Sequence, residues 1–167
     1  AIFAGTHGKA NGLDKLIDAA KKIKSRGIDE IKILLVGDGS EKKKLKNRVK
    51  FEKINNVLFL PLLPKDELSF LLKKCSDVGL MNLDNIPAFY EGTSPNKFFD
   101  YLASGIPIIC NYPGWISEII KKNNCGLVAD PEEENSYSNC IIKLSEDKEL
   151  KKIMANNALR LSERKFS

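Results

Sequence analysis

The feature that most limits what this chain can fold into is a regular alternation. Short runs rich in Val, Ile and Leu are each closed by glycine, proline or a polar turn. Stretches with apolar residues three and four apart lie between them. The runs suit buried strands and the intervening stretches suit amphipathic helices, which is the pattern of βα units around a parallel sheet. It predicts strands at Ile2–Gly5, Ile31–Val36, Val57–Leu60, Val78–Leu83, Pro107–Cys110 and Gly126–Ala129. The expected fold is α/β, a doubly wound parallel six-stranded sheet of Rossmann-like type.

Helix signals fall between these strands. Leu13, Leu16, Ile17, Ala20 and Ile23 make one apolar face, and Gly27 ends that helix. A second helix is predicted from Ser40, as N-cap, to about Glu52. A third follows Pro64, with Asp66 and Glu67 in its first turn and Leu68, Leu71 and Leu72 facing inward. The fourth has the clearest punctuation: Ser94 as cap, Pro95 in the first position, Gly105 at the end and Pro107 just beyond. Later helices are predicted at Trp115–Asn123, Asn135–Leu144 and Asp147–Ser162.

With 167 residues, 43% of them hydrophobic, the chain is expected to form one domain over 1–167 with its own core. It contains no repeat, linker or low-complexity segment. No apolar run reaches the roughly 18 residues of a membrane span and no signal peptide opens the chain, so a soluble, cytoplasmic domain is expected. Ala1-Ile2-Phe3-Ala4-Gly5 reads as a strand already under way, as in a piece of a longer protein. Cys75, Cys110, Cys125 and Cys140 form no Cys-x-x-Cys pair, and His7 is the single histidine. A zinc site is therefore not expected, and the four thiols are expected reduced.

The net charge of +5 is concentrated at Lys42, Lys43, Lys44, Lys46, Arg48 and Lys50. Two readings stay open: a solvated helix face, or attraction to an anionic substrate or the inner membrane leaflet. No aromatic residues interleave with these lysines, so nucleic acid is not an expected partner.

In an open parallel sheet the ligand lies beyond the C-terminal strand ends, so the loops there carry the candidate chemistry. The loop after the first strand, Gly5-Thr6-His7-Gly8-Lys9-Ala10-Asn11-Gly12, has three glycines that let backbone approach a ligand. It matches neither the dinucleotide fingerprint nor the P-loop. The loop from Asn85 to Ser94 delivers the chain to the fourth helix, whose N-terminal amides and dipole suit a diphosphate. The amides of Asn96 and Lys97 are the expected donors. Asp100 lies just over one turn further, roughly 5 to 8 Å along the axis. There its carboxylate could accept hydrogen bonds from both hydroxyls of a ribose. Spacing alone leaves a second reading open, an ion pair of Asp100 with Lys97.

The stretch Glu91-Gly92-Thr93-Ser94-Pro95-Asn96-Lys97-Phe98-Phe99-Asp100-Tyr101-Leu102-Ala103-Ser104-Gly105-Ile106-Pro107 resembles the donor-binding core of the retaining glycosyltransferases of GT-B fold, the family 4-like group 1 enzymes. Phe3-Ala4-Gly5 with Asn11-Gly12-Leu13-Asp14, Leu35-Val36-Gly37-Asp38-Gly39 and Gly126-Leu127-Val128 extend the resemblance over nearly the whole chain. Ser94-Pro95-Asn96-Lys97 resembles the branch that builds bacterial capsule and O-antigen polysaccharide.

The resemblance implies that this is the nucleotide-sugar-binding, C-terminal half of such an enzyme, with the acceptor domain elsewhere. It implies retaining transfer of a hexosyl or N-acetylhexosaminyl group, with a UDP-sugar expected as donor, to a glycan or lipid-linked glycan. No metal and no cofactor are implied. Asp100 matches the acid that holds the ribose. Glu91 corresponds to the acid that meets the donor sugar, although eight residues separate it from Asp100, one more than the usual spacing. Thr6 and Asn11 stand where most members place an arginine and a lysine on the diphosphate. Lys9 and Lys97 are therefore expected to supply that charge, with Lys97 beside Glu91 as a catalytic candidate, and His7 in the same loop is read as an exposed loop histidine. Gly5, Gly12, Ser94 and Asn96 complete the expected donor site. Two other readings remain: a GT-B nucleotide-sugar epimerase, and a noncatalytic Rossmann-like interaction module without nucleotide affinity.

Overall fold

The computed structural model describes residues 1–90 and 95–165. Strands β1 (Ile2–Ala4), β2 (Ile33–Val36), β3 (Val57–Leu60), β4 (Gly79–Met81), β5 (Ile108–Cys110) and β6 (Gly126–Val128) form one six-stranded sheet. Its order is β3-β2-β1-β4-β5-β6 and every pairing is parallel. The expected doubly wound sheet is thus the fold observed. The order runs outward from β1 to β3 and then returns to the far side of β1 with β4, which makes the β1/β4 junction the topological switch point.

Strand alternation divides the core into two faces. Phe3, Leu35 and Ile109 pack with Leu16 and Ile23 of α1 (Asp14–Ser25), Leu45 of α2 (Lys42–Phe51) and Ile141 of α6 (Ser136–Glu146). Ile2, Met81 and Ile108 pack with Leu72 of α3 (Lys65–Cys75), Leu102 of α4 (Asn96–Ala103) and Ile120 of α5 (Trp115–Asn123). The last helix, α7 (Lys148–Lys165), gives Met154 to the first cluster and Ala158 and Leu161 to the second. No helix among the described residues is long and apolar enough to cross a membrane. The four cysteines are free thiols, Cys110 and Cys125 buried.

The seams of the sheet are unequal. β2 and β3 register at four positions, Ile33↔Val57 to Val36↔Leu60, whereas β1 and β4 register at Ile2↔Gly79 alone. Where β1 and β4 part, buried Tyr101 of α4 fills the gap. Its hydroxyl accepts from the Ala4 amide at 3.1 Å and donates to the Leu80 carbonyl at 3.0 Å. Gly79 makes room for the ring, since a β-carbon there would lie 2.5 Å from Tyr101 ring atoms.

Several predicted boundaries shift by one to three residues, and two of the shifts have a clear physical cause. β4 stops at Met81, short of the expected Leu83, because the Asn111 side chain takes both Leu83 backbone groups, at 2.9 and 3.0 Å, in place of a ladder partner. Ser40 does not cap α2. Asp38 Oδ1 accepts from the Gly39 amide at 2.8 Å, the Glu41 amide donates to the His7 carbonyl, and the helix starts at Lys42 without a side-chain cap. The end of α4 is as expected. Gly105 adopts φ +67, its amide bonds Leu102 and the Ile106 amide bonds Tyr101, a Schellman closure. Ser94, the predicted cap of this helix, lies outside the described residues.

Candidate functional site

A cleft of about 490 Å³ opens at the β1/β4 switch point. The loop after β1 supplies Gly5, Thr6 and Asn11, the end of β4 supplies Leu83, and α4 supplies Asn96, Lys97 and Asp100. A second cleft of about 430 Å³ lies between α1 and the loop after β6, but its lysines are already paired, Lys22 with Glu134 at 3.2 Å, Lys21 with Glu52 at 2.5 Å and Lys15 with Asp84 at 3.9 Å. The switch-point cleft, where the parting strands leave room for a ligand, is the better site.

The loop after β1 is held from β4. Asn82 Nδ2 donates to the carbonyls of Asn11 and Gly12 at 2.5 and 2.9 Å, and the Asp84 amide donates to the Ala10 carbonyl at 2.9 Å. Gly12 takes φ +55 against Asp84, where a β-carbon would meet backbone at 2.8 Å. Asn11 Nδ2 then donates to the Thr6 carbonyl at 2.7 Å and closes the loop on itself. Asn82 and Asn111 were not singled out from the sequence. A signal existed: both follow directly on the last apolar residue of neighbouring strands, in Met81-Asn82 and Cys110-Asn111.

Lys97 turns from α4 under this loop. Its ammonium lies 3.9 Å from the Phe3 ring centroid, a cation–π contact. Gly5 leaves the space for it, because a β-carbon there would be 2.8 Å from Lys97 Cε and Nζ. Burial lowers the Lys97 pKa to about 8. It makes no ion pair with any described residue, so the Lys97–Asp100 pair left open above does not form. The result is a desolvated cation beside the cleft, set against an aromatic face and in no ion pair with a described carboxylate.

Asp100, one turn along, lines the cleft with an exposed side chain. Partial burial raises its pKa and the Lys65 charge opposes the shift. The first-turn amides of α4 have no acceptor within their own helix, and the helix dipole points its positive end into the same space.

The remaining predicted residues fall elsewhere. Lys9 sits exposed on a short 3-10 turn, Lys9–Asn11, and neither Lys9 nor Gly12 lines the cleft. His7 is fully buried between Phe3 and Phe59, ring centroids 6.5 and 6.3 Å away, under the turn containing Gly37 and Gly39. The reading of His7 as an exposed loop histidine is therefore corrected: the ring is buried, and burial and nearby Lys42 lower its pKa. Glu91 and Ser94 lie outside the described residues. Among those described, no group of three or more His, Cys, Asp and Glu is arranged to hold a metal ion.

A family profile described as "Glycosyl transferases group 1" matches residues 1–161. The protein described as uncharacterized glycosyltransferase MJ1178 of Methanocaldococcus jannaschii is 28% identical over 166 residues, 99% of this chain and 43% of that protein. The crystal structure of Anabaena Alr3699/HepE in complex with UDP-glucose is similar with a TM-score of 0.82 at 20% identity, over 99% of this chain and 44% of that one. The C-terminal domain of a group 1 glycosyl transferase family protein, LpcC, from Francisella tularensis is similar with a TM-score of 0.78 at 18% identity, over 99% of this chain and 86% of that one. The chain thus spans less than half the length of the curated relative it matches.

Proposed function

This chain belongs to the group 1 glycosyltransferases, and on that premise we propose that its switch-point cleft binds a nucleoside diphosphate sugar, a UDP-sugar, for retaining glycosyl transfer. The observation that carries the reading is the pairing of Lys97 and Asp100 on one edge of α4, opposite the glycine-containing loop after β1. The Lys97 ammonium has no carboxylate partner among the described residues, which leaves it suited to an anion. The adjacent first-turn amides, with Asn96 and Thr6, can meet the remaining phosphate oxygens. Asp100 lies where a ribose joined to that diphosphate would reach, and an ionised acid accepts from both of its hydroxyls. The UDP-glucose named for the Anabaena relative supports this choice of donor.

In this reading the negative charge that develops on the leaving diphosphate is met by Lys97 and the α4 amides, with no metal and no cofactor. Lys9, exposed on its turn, plays the smaller part. Glu91 meets the donor sugar and Ser94 completes the α4 end of the site. The acceptor, a surface-polysaccharide or lipid-linked glycan, is held by a second domain, so the chain alone binds donor without transferring it. Contact with an anionic membrane leaflet belongs to the same reading.

Calorimetric titration tests it. UDP should bind more tightly than uridine, and chelator should leave the affinity unchanged. Absence of nucleotide binding would remove the reading, and binding lost in chelator would assign the phosphate charge to a metal. Efficient sugar transfer by these 167 residues alone would refute the role given to a second domain.

A further inference from the structure

Helix α2, Lys-Lys-Lys-Leu-Lys-Asn-Arg-Val-Lys-Phe, carries no acidic residue, whereas α1, α3, α5, α6 and α7 each mix both signs. Leu45 faces the core, Lys42 donates to the Gly37 and Leu60 carbonyls, and Arg48 is taken by Asp14, Asp18 and Glu52. Val49 packs against the core, and helical geometry puts the other residues on one solvent-facing arc, with Lys43, Lys46 and Lys50 on one side, Lys44 on the other, and Asn47 and Phe51 between them. These four lysines are exposed and pair with no described acid. Phe51 is 88% exposed, more than any other large hydrophobic residue described.

The arrangement does not serve the helix itself. Lys42, Lys43 and Lys44 sit at the positive end of the helix dipole, where cations are unfavourable. At the other end Lys53 takes φ +56 in the closing turn, a position that α1 and α4 give to Gly27 and Gly105 and that a β-carbon makes costly. Lys53 joins Lys46 and Lys50 around a groove of about 680 Å³ with Val49, Ile54 and Phe59 as its apolar lining.

We propose that this solvent face of α2, with Phe51 at its C-terminal end and the lysine-rimmed groove beside it, docks the chain on an anionic membrane surface. Unpaired lysines draw anionic headgroups, and an exposed aromatic with an apolar groove suits the boundary between headgroups and acyl chains. The proposal names the surface for the membrane contact of the preceding reading and rests on that part of it.

Co-sedimentation of the chain with vesicles tests the assignment. Binding is expected to vesicles containing phosphatidylglycerol, not to phosphatidylcholine alone, and to weaken steeply with salt. The pair Lys46→Glu and Lys50→Glu should lower it about tenfold or more, from roughly 1 kcal/mol per lysine near such a surface. Phe51→Ser should lower it about fivefold through lost apolar contact. Lys148→Glu with Lys152→Glu on α7 makes the same change in net charge and should lower it less than about twofold. Equal loss from the α7 pair, binding to neutral vesicles alone, or no vesicle binding would overturn the proposal. So would tighter binding of an oligonucleotide at equal phosphate concentration that Phe51→Ser leaves unchanged. UDP titration of the α2 variants separates the two claims, since an unaltered UDP affinity shows that docking was lost and the donor site was not.

Discussion

The seam between β2 and β3 and the seam between β1 and β4 belong to one sheet and solve different problems. At the first, four registered positions let the strands satisfy each other's amides and carbonyls. At the second, one registered position leaves backbone groups that must find partners elsewhere. Tyr101 takes the Ala4 amide and the Leu80 carbonyl, Asn111 takes both groups of Leu83, and Asn82 ties down the loop that β1 releases. Buried polar side chains are expensive unless hydrogen-bonded, so Tyr101 and Asn82 between β1 and β4, with Asn111 on the neighbouring β4/β5 seam, mark where the sheet is held open. The opening is where the cleft lies. The crevice in this sheet is a ladder stopped early and then repaired with side chains.

The comparison breaks most directly at Tyr101. Tyr101→Phe keeps the ring beneath Gly79 but strands the buried Leu80 carbonyl, at about 1 to 3 kcal/mol, and the part-buried Ala4 amide, at about 1 kcal/mol, so a loss of about 2 to 4 kcal/mol is expected in urea unfolding. Leu58→Thr on the zipped β3, half-exposed, should cost under about 1 kcal/mol. Equal costs would mean that the open seam needs no repair.

Asp100→Asn tests the cleft with the scaffold untouched. The substitution keeps size and helix context while removing the charged acceptor. UDP binding should weaken by about 1.5 to 3 kcal/mol, roughly tenfold to a hundredfold, with stability unchanged. Unchanged affinity in a normally melting variant would disprove the ribose role.

Lys97 adds a pH signature whose two parts have opposite sign. Its pKa in the fold, about 8, lies below the ordinary 10.5. Below about 8 both folded and unfolded chains hold the proton and the fold carries the whole cost of burying the ammonium. Between about 8 and 10.5 the unfolded chain binds more protons, so this group makes stability rise with pH. UDP affinity should fall over the same window, by at most about tenfold per pH unit, because the diphosphate partner loses its charge. Lys97→Met should flatten both trends and weaken UDP more than uridine. A wild-type UDP affinity flat across this window would remove Lys97 from the diphosphate.

Much of this was legible because it is local. Apolar period and turn residues set the strands, and Gly105 with Pro107 ends α4 wherever the rest of the chain goes. Helical spacing likewise puts Lys97 and Asp100 about one turn apart on α4. What linear order hid is convergence. Nothing near His7 announces that Phe3 and Phe59 close around it from two strands. Lys9 and Lys97 look alike as charges, yet one points to solvent and the other lies over a ring. The partners of Asn82 are about 70 residues away in sequence, a separation that no local pattern encodes.

Asn82 supports the smallest of the expected effects and the finest division between scaffold and site. Its amide donates to two carbonyls of the loop after β1 and does not itself line the cleft, so it acts on a ligand only through that loop. Asn11 and Gly12 are only partly buried, and water can replace one lost donor, which limits the stability cost of Asn82→Ala to about 1 kcal/mol. If the loop meets the diphosphate, loosening it should weaken UDP about threefold and leave uridine nearly unchanged, an effect of about 0.6 kcal/mol. Asn82→Asp should weaken UDP further, because a carboxylate facing two carbonyls repels them where the amide held them. Equal weakening of UDP and uridine by Asn82→Ala would mean that the loop supports the whole nucleoside site. No weakening of either would mean that the β4 end holds the fold at the open seam and leaves ligand contact to α4 alone.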